Sequence, residues 1–181
     1  MTTMIIRRLL GSTVVAVILV TSQASIAAAS SPHPGLAKLR SATTKYHSLD
    51  RAIHDGYGLL TDTAGIACIA EPGMGAMGVH YVNGGLVADP AIVASKPEAM
   101  VYRRGVHGVL RLAAVEYVVT KAGWDATHKA PPRLFGHQFN FNKAPNRFGL
   151  PPFYSLHVWV WKHNPAGMFE MWNPNVHCPG F

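Results

Sequence analysis

Residues 99–120, AMVYRRGVHGVLRLAAVEYVVT, contain the pattern that decides the fold. Residues 99–103 and 109–120 are apolar runs rich in β-branched and aromatic side chains, which is typical of buried strands. Residues 104–108, RGVHG, separate the two runs and supply the glycines that a tight turn needs. Two strands joined by so short a turn run antiparallel, so this stretch predicts a hairpin.

Working outward, further strand patterns bounded by glycine and proline occur at residues 66–70, 76–83 and 154–162. Because no crossover helices separate the strands, we expect an α+β fold with a curved, mainly antiparallel sheet of about five strands. A small β-barrel is the alternative. Residues 125–152 are rich in proline and predict a long loop that covers a site.

One helix is predicted before the strands, over residues 41–55. Ser41 is suited to its N-cap, and Gly56 ends it. Its apolar positions recur with the helical period: Ala42, Tyr46, Leu49 and Ile53. We expect this N-terminal helix to pack on the sheet.

The first 29 residues have the composition of a secretory signal peptide. Arg7 and Arg8 precede a mostly apolar run at residues 9–20, and small residues with A-x-A-like cleavage options follow. That run would span about 18 Å as a helix, which is short of the roughly 30 Å hydrocarbon core of a bilayer. We therefore expect cleavage near residue 29, a single globular domain over residues 30–181 with no membrane span, and a secreted or periplasmic protein.

Two cysteines, Cys68 and Cys178, are present. Outside the cytoplasm a thiol pair usually oxidises, so export and the even count together favour a disulfide. Such a bond would join the C-terminal tail to an early strand and contribute on the order of 4 kcal/mol in the chain-entropy model. Free thiols or metal ligands are the alternative.

The charge gives little indication of a partner. The formal net charge is +7, but only Arg103 and Arg104 are adjacent among the basic residues beyond the N-terminal segment. This pattern argues against nucleic-acid binding. We therefore expect a small molecule or a metal as the ligand. The charge pattern does not indicate the oligomeric state.

Three predicted strands each place an ionisable residue among apolar neighbours: His80, Glu116 and His157. Strict alternation would put Glu116 on the face of Leu110, Leu112, Ala114 and Val118. A carboxylate on such a face needs a cation or hydrogen-bonding partners, because burying it alone is costly.

Two histidines and one carboxylate also form a metal-ligand set suited to zinc, iron, copper or manganese, with coordination positions left open. A metal there would activate water for hydrolysis or oxidation, and the sequence does not choose between these. A buried polar network in which Glu116 pairs with an arginine, such as Arg111 or Arg147, is the alternative.

Other residues extend this hypothesis. His47, Asp50 and His54 lie along one stripe of the predicted helix, and Asp50 is close enough to the core edge to join the sheet site. Alternation along 154–162 places Trp159 and Trp161 on the face of His157. We therefore predict a ligand pocket that includes Trp159, Trp161 and Asp50.

Five stretches together resemble an uncharacterised family of small exported bacterial proteins that has no known activity. They are ATTKYHSLDRAIHDGY (42–57), PGMGAMGVHYVN (72–83), LRLAAVEYVV (110–119), PPRLFG (131–136) and LHVWVWKHNPAGMFEMWNPNVHC (156–178). The resemblance implies no catalytic role. It implies only that His80, Glu116 and His157 lie in the recognisable stretches and that both cysteines belong to the framework.

These observations lead to three hypotheses of function. The first is a secreted protein that binds a small ligand or a metal through His80, Glu116 and His157. The second is a carrier of apolar ligands, and the third is a noncatalytic envelope protein whose buried polar residues are structural. The sequence contains no G-x-S-x-G or H-E-x-x-H motif that would establish an enzyme.

Overall fold

The computed structural model describes residue 1 and residues 33–178. Contacts divide the chain into two units, Met1–Ser31 and Pro32–Phe181, and the fold below belongs to the second. The predicted signal peptide lies outside the described residues. Within the described part of the chain, no helix combines the length and apolarity that crossing a membrane requires.

The N-terminal helical region is broken into pieces. Helix α1 spans Pro34–Thr43, a 3₁₀ turn follows at Thr44–His47, and α2 spans Leu49–His54. The predicted continuous helix over 41–55 is therefore wrong. The chain turns to an extended conformation at Ser48, whose side chain accepts a hydrogen bond from the backbone N–H of Arg51 and caps α2.

Two further short helices connect strands, α3 at Gly84–Ala88 and α4 at Lys121–Asp125. Within residues 33–178 the strands are, in chain order, β1 Gly58–Leu59, β2 Cys68–Glu71, β3 Gly75–Val82, β4 Ala99–Arg104, β5 Leu110–Thr120, β6 Arg133–Leu134, β7 His137–Gln138, β8 Asn140–Asn142 and β9 Phe153–Val158. All five predicted strands are present, with boundaries shifted by a few residues.

Seven of these strands form one antiparallel sheet, in the order β1-β3-β4-β5-β9-β8, with β2 also paired to β3. Strands β6 and β7 form a separate pair inside the predicted long loop. The sheet does not close on itself. The α+β fold is thus confirmed, and the barrel alternative does not apply.

A bulge in β5 corrects one prediction about the site. Val101 pairs with Ala114, but Tyr102 pairs with Leu112, so Ala113 is the extra residue. The bulge reverses the alternation upstream of it. Leu112 and Leu110 therefore join the core on the helix side of the sheet, whereas Ala114 belongs to the opposite face. The predicted grouping of Leu110 and Leu112 with Glu116 is therefore wrong, whereas Ala114 and Val118 do share its face.

The two sides of the sheet are covered differently. The helix face packs against α1 and α2 and is built from aromatic and aliphatic side chains of the central strands: Met100, Tyr102, Val115, Tyr117, Val119, Tyr154, Leu156 and Val158. The site face is defined by His80, Glu116, His157 and a small apolar cluster that includes Val101, Ala114, Trp159 and Val176.

The C-terminal tail, residues 164–178, covers part of the site face. Asn173 pairs with Ala76 as an isolated bridge, and Val176 is buried in the apolar cluster of this face. The predicted disulfide between Cys68 and Cys178 is confirmed, with Cα atoms 5.7 Å apart. It fixes the end of the tail to β2.

Candidate metal centre

Strand pairing brings His80, Glu116 and His157 together from positions far apart in the chain. Glu116 of β5 lies directly opposite His157 of β9. Ala99 of β4 lies between Val82 of β3 and Glu116, and its small side chain leaves room for His80 to reach across β4. The structure therefore assembles the predicted group.

Gly78 allows β3 to approach β4 closely near His80. Its φ is +106°, and a Cβ there would lie 2.5 Å from the carbonyl oxygen of Tyr102. A side chain at this position would push the two strands apart. The position of His80 over β4 thus depends on a glycine two residues earlier.

The polar atoms of the three side chains converge on one point. Nε2 of His80 lies 3.2 Å from Nε2 of His157 and 3.4 Å from Oε2 of Glu116. Oε1 of Glu116 lies 3.2 Å from Nδ1 of His157. One ligand atom from each residue lies within 4.8 Å of the others, and within the described residues this is the one group of three or more such side chains.

These separations fit a tetrahedral metal ion. Bonds of about 2.0 Å at tetrahedral angles place neighbouring ligand atoms about 3.3 Å apart. The 3.2 Å and 3.4 Å separations from Nε2 of His80 match this spacing, whereas all three ligand atoms together lie within 4.8 Å of one another, so the third pair has to close around an ion. The same donors leave coordination positions open, as in catalytic rather than structural zinc sites.

Burial prepares the three groups for a metal. His80 and His157 are 2% and 1% exposed. Burial lowers the pKa of His80 to about 4, so its ring is neutral at pH 7 and its lone pair is available. Burial opposes ionisation of Glu116 too, but the adjacent His157 and His80 outweigh it and lower the pKa of its carboxyl to about 2.

The cluster is incomplete as a hydrogen-bonded network. Nδ1 of His80 and Nδ1 of His157 are buried without a well-aligned hydrogen-bond partner, although the His80 ring interacts with the backbone of Gly78 and the His157 ring with the Glu116 carboxylate. Each unsatisfied buried nitrogen costs about 1 to 3 kcal/mol. Groups of this kind in an otherwise satisfied interior are typical of ion sites and functional sites.

A short chain of hydrogen bonds holds Glu116 from the side. Asn142 of β8 donates from Nδ2 to Oγ of Ser155 over 3.1 Å, and Ser155 in turn hydrogen-bonds the Glu116 carboxylate. Such outer partners orient metal ligands. We did not predict these two residues from the sequence, but Ser155 precedes His157 by two positions and therefore shares its face.

An apolar cavity of about 250 Å³ adjoins His80, Glu116 and Ser155. Its remaining walls come from β3, α3, β5, β9 and the loops that cover them: Leu60, Met77, Val82, Gly84, Val87, Val118, Asn142, Phe148, Leu150, Phe153 and Met171. The candidate metal centre thus lies at the polar end of a space large enough for a small ligand.

The loop over this cavity is the end of the predicted 125–152 segment. Arg147 donates from Nη2 to Oδ2 of Asp62 over 2.8 Å, and its carbonyl accepts the N–H of Thr63. These bonds hold Phe148 and Leu150 over the cavity. They also occupy Arg147, which the sequence offered as a partner for Glu116.

The structure places Trp159, Trp161 and Asp50 away from this cavity. Asp50 is exposed on α2. Trp159 packs against the ring of His157 within the apolar cluster, and with Trp161 it borders a different surface cavity. Strand β9 ends at Val158, so alternation no longer holds at Trp161, whose ring contacts His47 instead.

The predicted surface stripe of His47, Asp50 and His54 also fails to form. His47 ends the 3₁₀ turn, and α2 begins only at Leu49, so the three residues do not share one helix. Among the described residues, the group that could hold a metal contains none of them.

No family model, curated protein or solved structure matches this chain. The resemblance to small exported bacterial proteins therefore stays a prediction. The function is inferred below from the chemistry of the site.

Proposed function

We propose that this protein binds one divalent transition metal ion, with zinc, iron, copper and manganese as the candidate ions, through His80, Glu116 and His157. The observation that carries the proposal is the pair of buried Nε2 atoms that face each other at 3.2 Å with a carboxylate oxygen beside them. Imidazole and carboxylate donors at this spacing suit such an ion.

The position between the three donor atoms suits a cation. A single proton on Nε2 of His80 can be donated well to only one of its two neighbours, Nε2 of His157 or Oε2 of Glu116. A metal dication interacts with all three atoms at once. It also offsets the cost of burying the negative charge of Glu116.

Metal titration of the full chain tests this proposal. The protein is stripped with a chelator and titrated with zinc chloride by calorimetry, and bound zinc is counted by mass spectrometry. We expect about one zinc per chain. We also expect His157→Ala to lower the affinity at least a hundredfold, because it removes one of three protein ligands.

His54→Ala is the matched control, because His54 is a histidine on the exposed side of α2 with 76% of its side chain accessible. It should leave zinc binding unchanged. Loss of zinc binding in both variants, or in neither, would contradict the proposal. In that case the three side chains would form a structural polar network.

We also propose that the protein works outside the cytoplasm, either secreted or periplasmic. The disulfide between Cys68 and Cys178 supports this, because such bonds persist in oxidising compartments. Cell fractionation of the full-length chain, followed by mass measurement of its mature N-terminus, tests the proposal. A cytoplasmic protein that retains Arg7 and Arg8 would contradict it.

A further inference from the structure

We propose that the metal centre binds a small apolar monocarboxylate, whose carboxylate coordinates the metal while its hydrocarbon body fills the adjoining cavity. This inference rests on the proposed metal site and adds the class of ligand. Three features of the structure support it: the shape of the cavity, its lining and the charge of the donor set.

The cavity has one polar end and apolar walls. His80, Glu116 and Ser155 lie at the polar end. Val82, Val118 and Phe153 continue the same sheet face into the apolar part. A ligand with one polar group and an apolar body therefore matches the lining better than a sugar or a peptide, which would bury polar groups without partners.

The volume limits the size of the ligand. A cavity of about 250 Å³ holds about eight water molecules, at about 30 Å³ each. A ligand of about ten non-hydrogen atoms fills it, which corresponds to octanoate or phenylpropionate. Longer fatty acids would extend past Leu150, a rim residue that is 40% exposed.

The charge of the site selects the polar group. Two imidazoles bind a metal as neutral ligands, and Glu116 contributes one negative charge. A dication held by this set keeps a net charge of about +1 inside a mostly apolar enclosure. One monoanionic ligand neutralises it, whereas a neutral alcohol leaves the charge buried and uncompensated.

Calorimetry with defined probes tests the inference. The zinc-loaded full-length protein is titrated with octanoate, with acetate, which has the same head but no body, and with 1-octanol, which has a similar body but no charge. We expect octanoate to bind at least tenfold more tightly than either. Removing zinc should weaken octanoate binding at least tenfold.

Two variants locate the ligand. Val118→Phe should fill the cavity beside Glu116 and weaken octanoate binding at least tenfold, whereas Val109→Phe adds the same ring at a residue that is 55% exposed and should change nothing. Leu150→Asn changes only the exposed rim, so it tests the cavity even if Val118→Phe fails to fold. We expect it to weaken octanoate binding about threefold.

The outcomes separate the two proposals. If zinc does not bind, the metal site and this inference both fail. If one zinc binds but octanoate is no tighter than acetate, or binds equally well without zinc, the metal site stands and the inference is overturned. The same holds if neither cavity variant affects octanoate.

Discussion

The two faces of the central sheet bury polar atoms in opposite ways. On the helix face the hydroxyls of Tyr57, Tyr102 and Tyr117 each donate to a backbone carbonyl, at 2.9, 2.8 and 2.6 Å. On the site face the Nδ1 atoms of His80 and His157 have no aligned partner. The buried polar atoms of the first face are thus satisfied by the backbone, whereas the second face buries nitrogens without well-aligned partners.

Removing the disulfide that attaches the C-terminal tail to β2 should produce the largest loss of stability. In Cys68→Ala/Cys178→Ala, the link across 110 residues is removed, and we expect a loss of about 4 kcal/mol because the unfolded chain gains freedom. Urea unfolding measures the loss, and reduction of the unaltered protein should reproduce it. Hydrogen exchange should increase in residues 164–178 before it increases in α1. An equal increase in hydrogen exchange in both segments would mean that the two faces do not differ in this way.

A pair of neighbouring substitutions in β9 separates the faces more directly. Leu156→Ala leaves a cavity in the helix face and should cost about 3 kcal/mol while zinc binding persists. His157→Leu should abolish zinc binding and also destabilise the metal-free protein, because it removes the imidazole that offsets the burial of the Glu116 carboxylate. Thermal or urea unfolding of both variants, with and without zinc, measures the contrast. If zinc binding survives in His157→Leu, or is lost in Leu156→Ala, the two faces do not differ in this way.

The smallest of the three expected effects on stability comes from Glu98, which contrasts with Glu116. Glu98 lies near Tyr57 and Tyr117 of the helix-side core, and its carboxyl accepts hydrogen bonds from the N–H of Val118 and from its own N–H. Burial raises the pKa of its carboxyl to about 7, whereas Glu116 gains imidazole neighbours and a lowered pKa. Below about pH 7, a glutamate is therefore neutral on the helix face and negatively charged on the site face.

The sign of the pH dependence follows from this raised pKa. The unfolded chain releases the proton of Glu98 near pH 4.5, but the folded protein keeps it to about pH 7. The stability is therefore full below about pH 4.5 and falls as the pH rises through about 7. Glu98→Gln keeps the group neutral, so we expect it to be more stable than the unaltered protein at about pH 8, by about 2 kcal/mol, and similar near pH 5.

Urea unfolding at both pH values measures this difference. Glu71→Gln is the control, because Glu71 is an exposed carboxylate in β2. The assignment fails if Glu98→Gln is less stable than the unaltered protein at about pH 8, or if both variants respond to pH alike.

Much of the sheet could be predicted because strands with two buried faces read as apolar runs ended by glycine and proline. The hairpin at residues 99–120 and the strand that contains His80 are within one or two residues of the observed bounds. The sequence also contains a signal for the break at Ser48, because serine three positions before a helical N–H is a typical N-cap. The apolar period continues across Ser48, however, and favoured a single helix.

The ligand triad could be predicted in part because each member lies mid-strand among apolar neighbours. Their mutual contact could not, since it depends on the bulge at Ala113 and on the small Ala99 between β3 and β5. The cavity was harder to predict from the sequence than the triad. Phe148 and Leu150 lie in an irregular loop without periodicity, and their position depends on the distant pair Arg147–Asp62.

The fluorescence of the Trp159 indole should report metal binding directly. Its ring centre lies 6.0 Å from that of His157, at an angle of 25°, and its Nε1 donates to the Glu170 carbonyl, which fixes the ring. A paramagnetic ion bound to His157 would quench the excited state of this indole. Copper uptake would therefore dim the intrinsic fluorescence without any attached dye.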